Sequence, residues 1–170
     1  LEDGEFRLIE SSAILKYLAE SSGSATYPTN PQARARVNEM MDWFNTNLYR
    51  GLGYGFVYPQ TLEYCALQDE AALKLQITLG KTQAERFLTV LNDHILANDA
   101  PWLCGDTMTI ADYLASGIIS LGEAIGCTFS AYPNIVSWYD RIKALPNWQS
   151  ANAGLYEWAK NIQGPEYLKV

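Results

Sequence analysis

The feature that most constrains the fold of this chain is a helix start at Thr109. The letters T-I-A-D at residues 109–112 match the capping pattern S/T-x-x-D/E, in which two side chains satisfy backbone N–H groups at the start of a helix. The helix is therefore predicted to begin at Ile110, with Thr109 and Asp112 as structural residues. Its apolar and small residues cover more than one face, which is typical of a helix packed on several sides. We expect it to be the central helix of the core.

Most of the chain beyond residue 31 has apolar residues at helical spacing, which predicts a mainly α fold. The spacing predicts further helices at residues 31–49, 69–80, 82–97, 133–145 and 148–162. The segment 51–59 alternates small and large residues and ends in a proline, so it is interpreted as an irregular or kinked element.

The first 24 residues have a different pattern from the rest. Residues 6–9 predict a short strand after a turn at Asp3-Gly4, and helical spacing begins at Glu10-Ser11. A serine-rich stretch with two prolines after it then interrupts the chain. A domain boundary is predicted there. Residues 1–24 would be the incomplete end of a strand–helix domain, and residues 25–170 an all-helical domain.

The Glu10-Ser11 pair is a candidate site for an anion. Backbone N–H groups without partners and the positive end of the helix dipole meet at a helix start, which suits a carboxylate or a phosphate. Serine is also a preferred helix-capping residue, so a purely structural role for Ser11 explains its position at the helix start equally well. The residues alone leave both interpretations open.

Composition excludes several classes of function. With 12 Lys plus Arg against 19 Asp plus Glu in 170 residues, the net charge of −7 disfavours nucleic acid as a partner. No run of 18 apolar residues exists, so no membrane span is predicted. Cys65, Cys104 and Cys127 are widely spaced, which supports neither a disulfide framework nor a metal site and favours the cytoplasm. Because the chain begins at Leu1 without a methionine, further residues are expected upstream.

Four motifs in order along the chain resemble those of cytosolic glutathione transferases. Residues 1–18, with their Glu-Ser pair, are similar to the end of the family's thioredoxin-like domain. Residues 27–37 and 47–60 are similar to the first helix of its C-terminal domain and to the kinked continuation of that helix in the theta and delta classes. The capping box within 102–112 and the helix at 132–146 complete the match. The resemblance implies an all-helical C-terminal domain preceded by a strand–helix remnant of a thioredoxin-like α/β domain.

The resemblance also implies roles for individual residues. Glu10 and Ser11 would bind the γ-glutamyl end of glutathione, as partners of its α-ammonium and α-carboxylate groups. A hydrophobic pocket for the second substrate would draw on Tyr49, Tyr54, Val57, Ile118 and Tyr156. Aromatic residues at helical spacing are as often core residues, so packing is an equal alternative for this second set.

The implied function is conjugation of the glutathione thiolate to hydrophobic electrophiles by a cytoplasmic, homodimeric detoxification enzyme that needs no metal. Its catalytic Ser, Tyr or Cys would lie upstream of Leu1, so residues 1–170 alone are expected to be inactive. Two alternatives stay open: a non-catalytic interaction module, as in elongation factor subunits or aminoacyl-tRNA synthetase appendages, and a glutathione-dependent dehalogenase or isomerase.

Overall fold

The computed structural model describes residues 1–97, 100–162 and 166–170. Two short strands pair antiparallel around the turn at residues 4–5, and helices make up most of the rest. The elements are β1 (Glu2–Asp3), β2 (Phe6–Arg7), α1 (Ser11–Ser21), α2 (Pro31–Trp43), α3 (Tyr58–Thr61), α4 (Glu70–Val90), α5 (Ile110–Ala124), α6 (Pro133–Lys143), α7 (Trp148–Ala151) and α8 (Ala153–Asn161). The mainly α fold class is confirmed. The domain boundary near residue 24 stays a prediction.

Helix α5 is the central helix of the core, as its sequence predicts. It packs against α1, α2, α6, α8 and the segment that follows α2. Ala111, Ala115 and Ile119 on α5 are fully buried. The Asp112 carboxylate, also fully buried, accepts the backbone N–H of Thr109 at 2.8 Å and so closes the capping box.

Two stretches that pack against each other differ from the prediction, and each has a glycine where they meet. Residues 51–59 are not irregular: α2 continues as a π-helix over Phe44–Val57, here called the wide segment, which leads directly into α3. The predicted break near Gly80 is also absent, because α4 runs unbroken from Glu70 to Val90 and ends in a π-helical turn, Leu91–Ile95. Gly80 and Gly55 face each other where the wide segment meets α4. Their missing side chains allow close helix contact, which outweighs the low helix propensity of glycine.

Smaller differences concern element ends. The predicted strand at residues 6–9 is limited to Phe6–Arg7, and the final helix is divided into α7 and α8 around Asn152. Within the described ranges, no helix is long and apolar enough to cross a membrane.

Candidate functional site

The start of α1 has an unusual backbone. Glu10 stands at the N-cap with a φ of 70° and makes no capping hydrogen bond through its side chain. A positive φ is uncommon for a residue with a side chain and carries strain, which concentrates at ligand sites. Ser11 is the first helical residue, not the cap, and both side chains are exposed to solvent. The purely capping interpretation of Ser11 therefore loses its geometric support. The first N–H groups of α1 stay available to a ligand.

A groove of about 450 Å³ lies beside this helix start, between α1, the wide segment, α3 and α5. Ile14 and Leu15 line it from α1, and Leu114, Ile118 and Leu121 line it from α5. Ser11 stands at its edge. The groove is open to solvent and mostly apolar, a combination that suits a hydrophobic small molecule next to a polar group held at the helix start.

Three of the predicted site residues, Ser11, Tyr49 and Ile118, line this one groove. Tyr54 lies directly beside it, since its ring centroid is 4.8 Å from that of Tyr49. Glu10 precedes Ser11 at the helix start.

The other two predicted pocket residues lie outside the groove. Val57 is fully buried in the core. Tyr156, on α8, accepts a hydrogen bond from the indole N–H of Trp148 and packs against the core.

Sequence reasoning missed Tyr58, Tyr113 and Asn45, which also line the groove. A signal for Tyr58 existed. In a π-helix, residues five apart lie on the same face, so Tyr49 and Tyr54 are neighbours, and Tyr58 follows one helical turn later. Interpreting 51–59 as irregular hid that spacing.

The three tyrosines form a compact aromatic cluster. The Tyr49 and Tyr58 hydroxyl oxygens are 2.8 Å apart, and the Tyr54 ring meets the Tyr58 ring edge to face at 5.3 Å. Gly53 makes this arrangement possible, because a Cβ there would lie 2.5 Å from the Tyr49 ring. Burial, with the hydrogen bond to Tyr58, raises the pKa of Tyr49 to about 12. Burial also raises the pKa of Tyr58, so both hydroxyls keep their protons at neutral pH.

The arrangement therefore combines an exposed helix start, apolar walls and a pair of hydroxyl groups. Among the described residues, no group of three His, Cys, Asp or Glu side chains is placed to hold a metal ion.

Comparison with known proteins gives two concordant results. Residues 57–150 match the sequence profile of the glutathione S-transferase C-terminal domain. A delta-class glutathione transferase from Nilaparvata lugens is 30% identical, with a TM-score of 0.76 over 95% of this chain and 74% of that chain.

Two human structures are similar to this chain to about the same extent as the delta-class enzyme. Glutathione transferase theta-2, in complex with glutathione and an unknown ligand, is 28% identical, with a TM-score of 0.78 over 97% of this chain and 72% of that one. The apo form of glutathione-S-transferase T1-1 is 27% identical, with a TM-score of 0.75 over 94% of this chain and 68% of that chain.

Proposed function

We propose, since the chain belongs to the glutathione S-transferase family, that the intact protein transfers the thiolate of glutathione to hydrophobic electrophiles. The observation that carries this proposal is the exposed, uncapped start of α1 at the edge of an apolar groove. A charged peptide and an apolar partner can be bound side by side there, and holding two reactants in contact lowers the entropy cost of their reaction.

Glutathione would bind through its γ-glutamyl end. The Ser11 hydroxyl and the first N–H groups of α1 can donate to the α-carboxylate, and Glu10 can pair with the α-ammonium group. Human theta-2, which is similar over nearly the whole chain, was crystallised with glutathione. The electrophile would lie against Ile14, Ile118 and Leu121.

The chemical step would be nucleophilic attack by the glutathione sulfur on an electrophilic carbon. Thiolate, not thiol, is the reactive form, so a neighbouring donor must lower the pKa of the bound thiol. We assign that role to a Ser, Tyr or Cys upstream of Leu1, and accordingly expect residues 1–170 alone to be inactive.

Replacing Ser11 by alanine in the intact protein is expected to weaken glutathione binding about 10- to 100-fold, because a hydrogen bond to a charged group contributes about 1.5–3 kcal/mol. Isothermal titration calorimetry with glutathione measures this change. Ser21, exposed at the other end of α1, provides the matched control, and S21A should bind like the wild type. If S11A and S21A bind glutathione with equal affinity, Ser11 does not contribute to the glutathione site.

We also propose that the protein is a homodimer that associates through α4. Leu75 and Leu79 are four residues apart on one face of this helix, and each is 58% exposed. Two apolar side chains of this size on one exposed face favour burial against a second copy, and a two-fold axis would let each face meet its own equivalent.

The double variant L75E/L79E should therefore halve the mass measured by light scattering after size exclusion, because charged side chains cannot be buried unpaired. Leu168, 52% exposed near the C-terminus, provides a control, and L168E should keep the mass of the wild type. A monomeric wild type would contradict the proposed dimer, and a dimer that persists in L75E/L79E would place its interface elsewhere.

We assign the protein to the cytoplasm and to detoxification. All three cysteines are free thiols, and secreted proteins usually pair theirs. The acidic net charge of −7 gives no support to a nucleic-acid partner.

Two other functions fit the same fold. A non-catalytic assembly module would form a complex with a different protein and would not bind glutathione, so native mass spectrometry separates it from a homodimeric enzyme. A glutathione-dependent dehalogenase or isomerase would use the same groove, and product analysis distinguishes it. The exposed helix start favours an enzyme over a module, since an assembly module needs no anion site.

A further inference from the structure

One side chain joins the end of α1 to the start of α2. Asn30 caps α2, so Arg34 lies in the first turn of that helix. Side chains of a helix point back toward its N-terminus, which aims the Arg34 guanidinium at the connection between the two helices, residues 22–30. A long cationic side chain is thereby placed over that connection.

Arg34 contacts three groups there at once. Its Nε donates to the Pro28 carbonyl at 2.7 Å, and its Nη1 donates to the Glu20 carboxylate, in the last turn of α1, at 3.2 Å. The guanidinium carbon lies 4.5 Å from the centre of the buried Tyr27 ring. An exposed ion pair contributes little by itself. Here, however, one planar group also meets a backbone acceptor and an aromatic face, which fixes its position.

The same connection is bonded to α5 and to α2. The Thr26 carbonyl accepts the backbone N–H of Ile110, the first residue of α5, at 3.0 Å. Tyr27 follows Thr26 directly, and its hydroxyl donates to the side-chain oxygen of Asn38 on α2 at 3.1 Å. The end of α1, the start of α2 and the start of α5 therefore meet at one junction, which Arg34 connects to α1.

This junction lies at the opposite end of α1 from Glu10 and Ser11. Helix α1 has 11 residues and is about 16 Å long, so a tilt of about 5° at the junction would move its start by about 1.4 Å. The groove wall on α5, which includes Ile118, would not follow that movement. Reactants held on the two helices would then be misaligned, and a displacement of about 1 Å can lower a rate about 100-fold.

We propose that Arg34 is a positioning residue, which fixes the angle between α1 and α5 and so aligns glutathione at Glu10-Ser11 with an electrophile held against α5. This inference rests on the proposed glutathione transferase function. It assigns a role in the reaction to a residue that does not line the groove.

Kinetics and glutathione titration of the intact R34A variant test this role. With glutathione and benzyl chloride, kcat should fall about 10-fold. The Kd of glutathione, measured by isothermal titration calorimetry, should stay within about two-fold of the wild type, because Glu10 and Ser11 move with α1 as one body. R34K should lose nearly as much kcat as R34A, since an ammonium group lacks the planar fork. E20Q, which loses only the exposed ion pair, should keep about half of kcat or more.

Arg36, two residues further along α2, provides the matched control. Its guanidinium pairs with Glu39 on the same helix, so R36A should keep the wild-type kcat and Kd. Thermal melting by circular dichroism checks that all variants are folded. Equal kcat values for R34A and R36A would overturn the proposal. An R34A protein whose glutathione affinity falls as far as its kcat would also overturn it, since the glutathione site itself would then be distorted.

Hydrogen exchange without any substrate separates this proposal from the proposed function. The backbone amides of residues 22–30 and of Ile110 should exchange faster in R34A than in R36A, because the connection loses the side chain that holds it. Equal exchange in the two variants would show that Arg34 does not hold the junction, even in an active enzyme. A wild type that neither binds glutathione nor converts the chloride would overturn the proposed function and, with it, the positioning role.

Discussion

Replacing Asp112 by alanine is expected to lower the free energy of unfolding by about 4 kcal/mol, because several buried donors lose their acceptor at once and each costs about 1–3 kcal/mol. The Asp112 Oδ1 atom accepts the backbone N–H of Leu103 at 3.0 Å and the indole N–H of Trp138 at 2.9 Å. Oδ2 accepts the backbone N–H of Thr109 at 2.8 Å and its hydroxyl at 3.1 Å. One side chain thus connects the start of α5 to the preceding loop and to α6.

Urea unfolding followed by circular dichroism measures this loss. D112N should be intermediate, because an amide retains one acceptor oxygen but turns an N–H₂ group towards a donor. Asp106 is exposed in the loop just before α5 and provides the control, and D106A should stay within about 0.5 kcal/mol of the wild type. A stability of D112A close to that of D106A would show that Asp112 does not hold the helix start.

Replacing Gly80 by alanine is expected to destabilise the protein by about 3 kcal/mol or more, the upper range for an overpacked core. A Cβ at this position would lie 1.9 Å from the Gly55 carbonyl oxygen and 2.2 Å from its carbon. Backbone atoms cannot rotate away as a side chain can, so α4 and the wide segment would have to separate. That movement would loosen the packing behind the tyrosines, since Gly55 follows Tyr54 in the wide segment and lies three residues before Tyr58, the first residue of α3.

Gly117 provides a control of opposite sign. It lies inside α5, and apart from its chain neighbours and the nearby backbone of its own helix no atom lies within 4 Å of the position that its Cβ would take. G117A should therefore stabilise the protein by about 0.5–1 kcal/mol through helix propensity alone. Thermal and urea unfolding of the two variants measure the difference. A G80A protein as stable as G117A would mean that the helices can separate there at little cost.

Local sequence rules predicted the helix starts well. The capping box defines Ile110 as the first residue of α5, and Pro133 begins α6 as a proline in a first turn should. The switch from strand to helical spacing likewise set the start of α1 at Ser11. Each of these signals acts between residues within one turn of helix, so the local amino-acid sequence is enough to predict the helix start.

Contacts between distant residues could not be predicted in the same way. The residues around Gly80 indicate a helix break, but α4 continues through this position, where it meets Gly55 from 25 residues earlier in the sequence. The Asp112 capping role was predictable, but its bond to Trp138 on α6 was not. Among the pocket residues, the family resemblance implied the same role for Val57 and Tyr49, and only the packing placed one in the core and the other in the groove.

The sequence by itself determined that this chain is mainly helical with a polar pair at the start of α1, because periodicity and capping are short-range properties of the backbone. The glutathione transferase family came from the resemblance of four motifs in order along the chain. The tertiary structure alone decided that the Glu10-Ser11 helix start borders an apolar groove, and that Tyr58 shares a hydrogen bond with Tyr49 inside it. The first depends on how closely α1, the wide segment and α5 approach one another, and the second on the continuous helical course from the wide segment into α3. Missing side chains at two glycines contribute to this packing, since Gly80 lets α4 approach the wide segment and Gly53 leaves room for the Tyr49 ring.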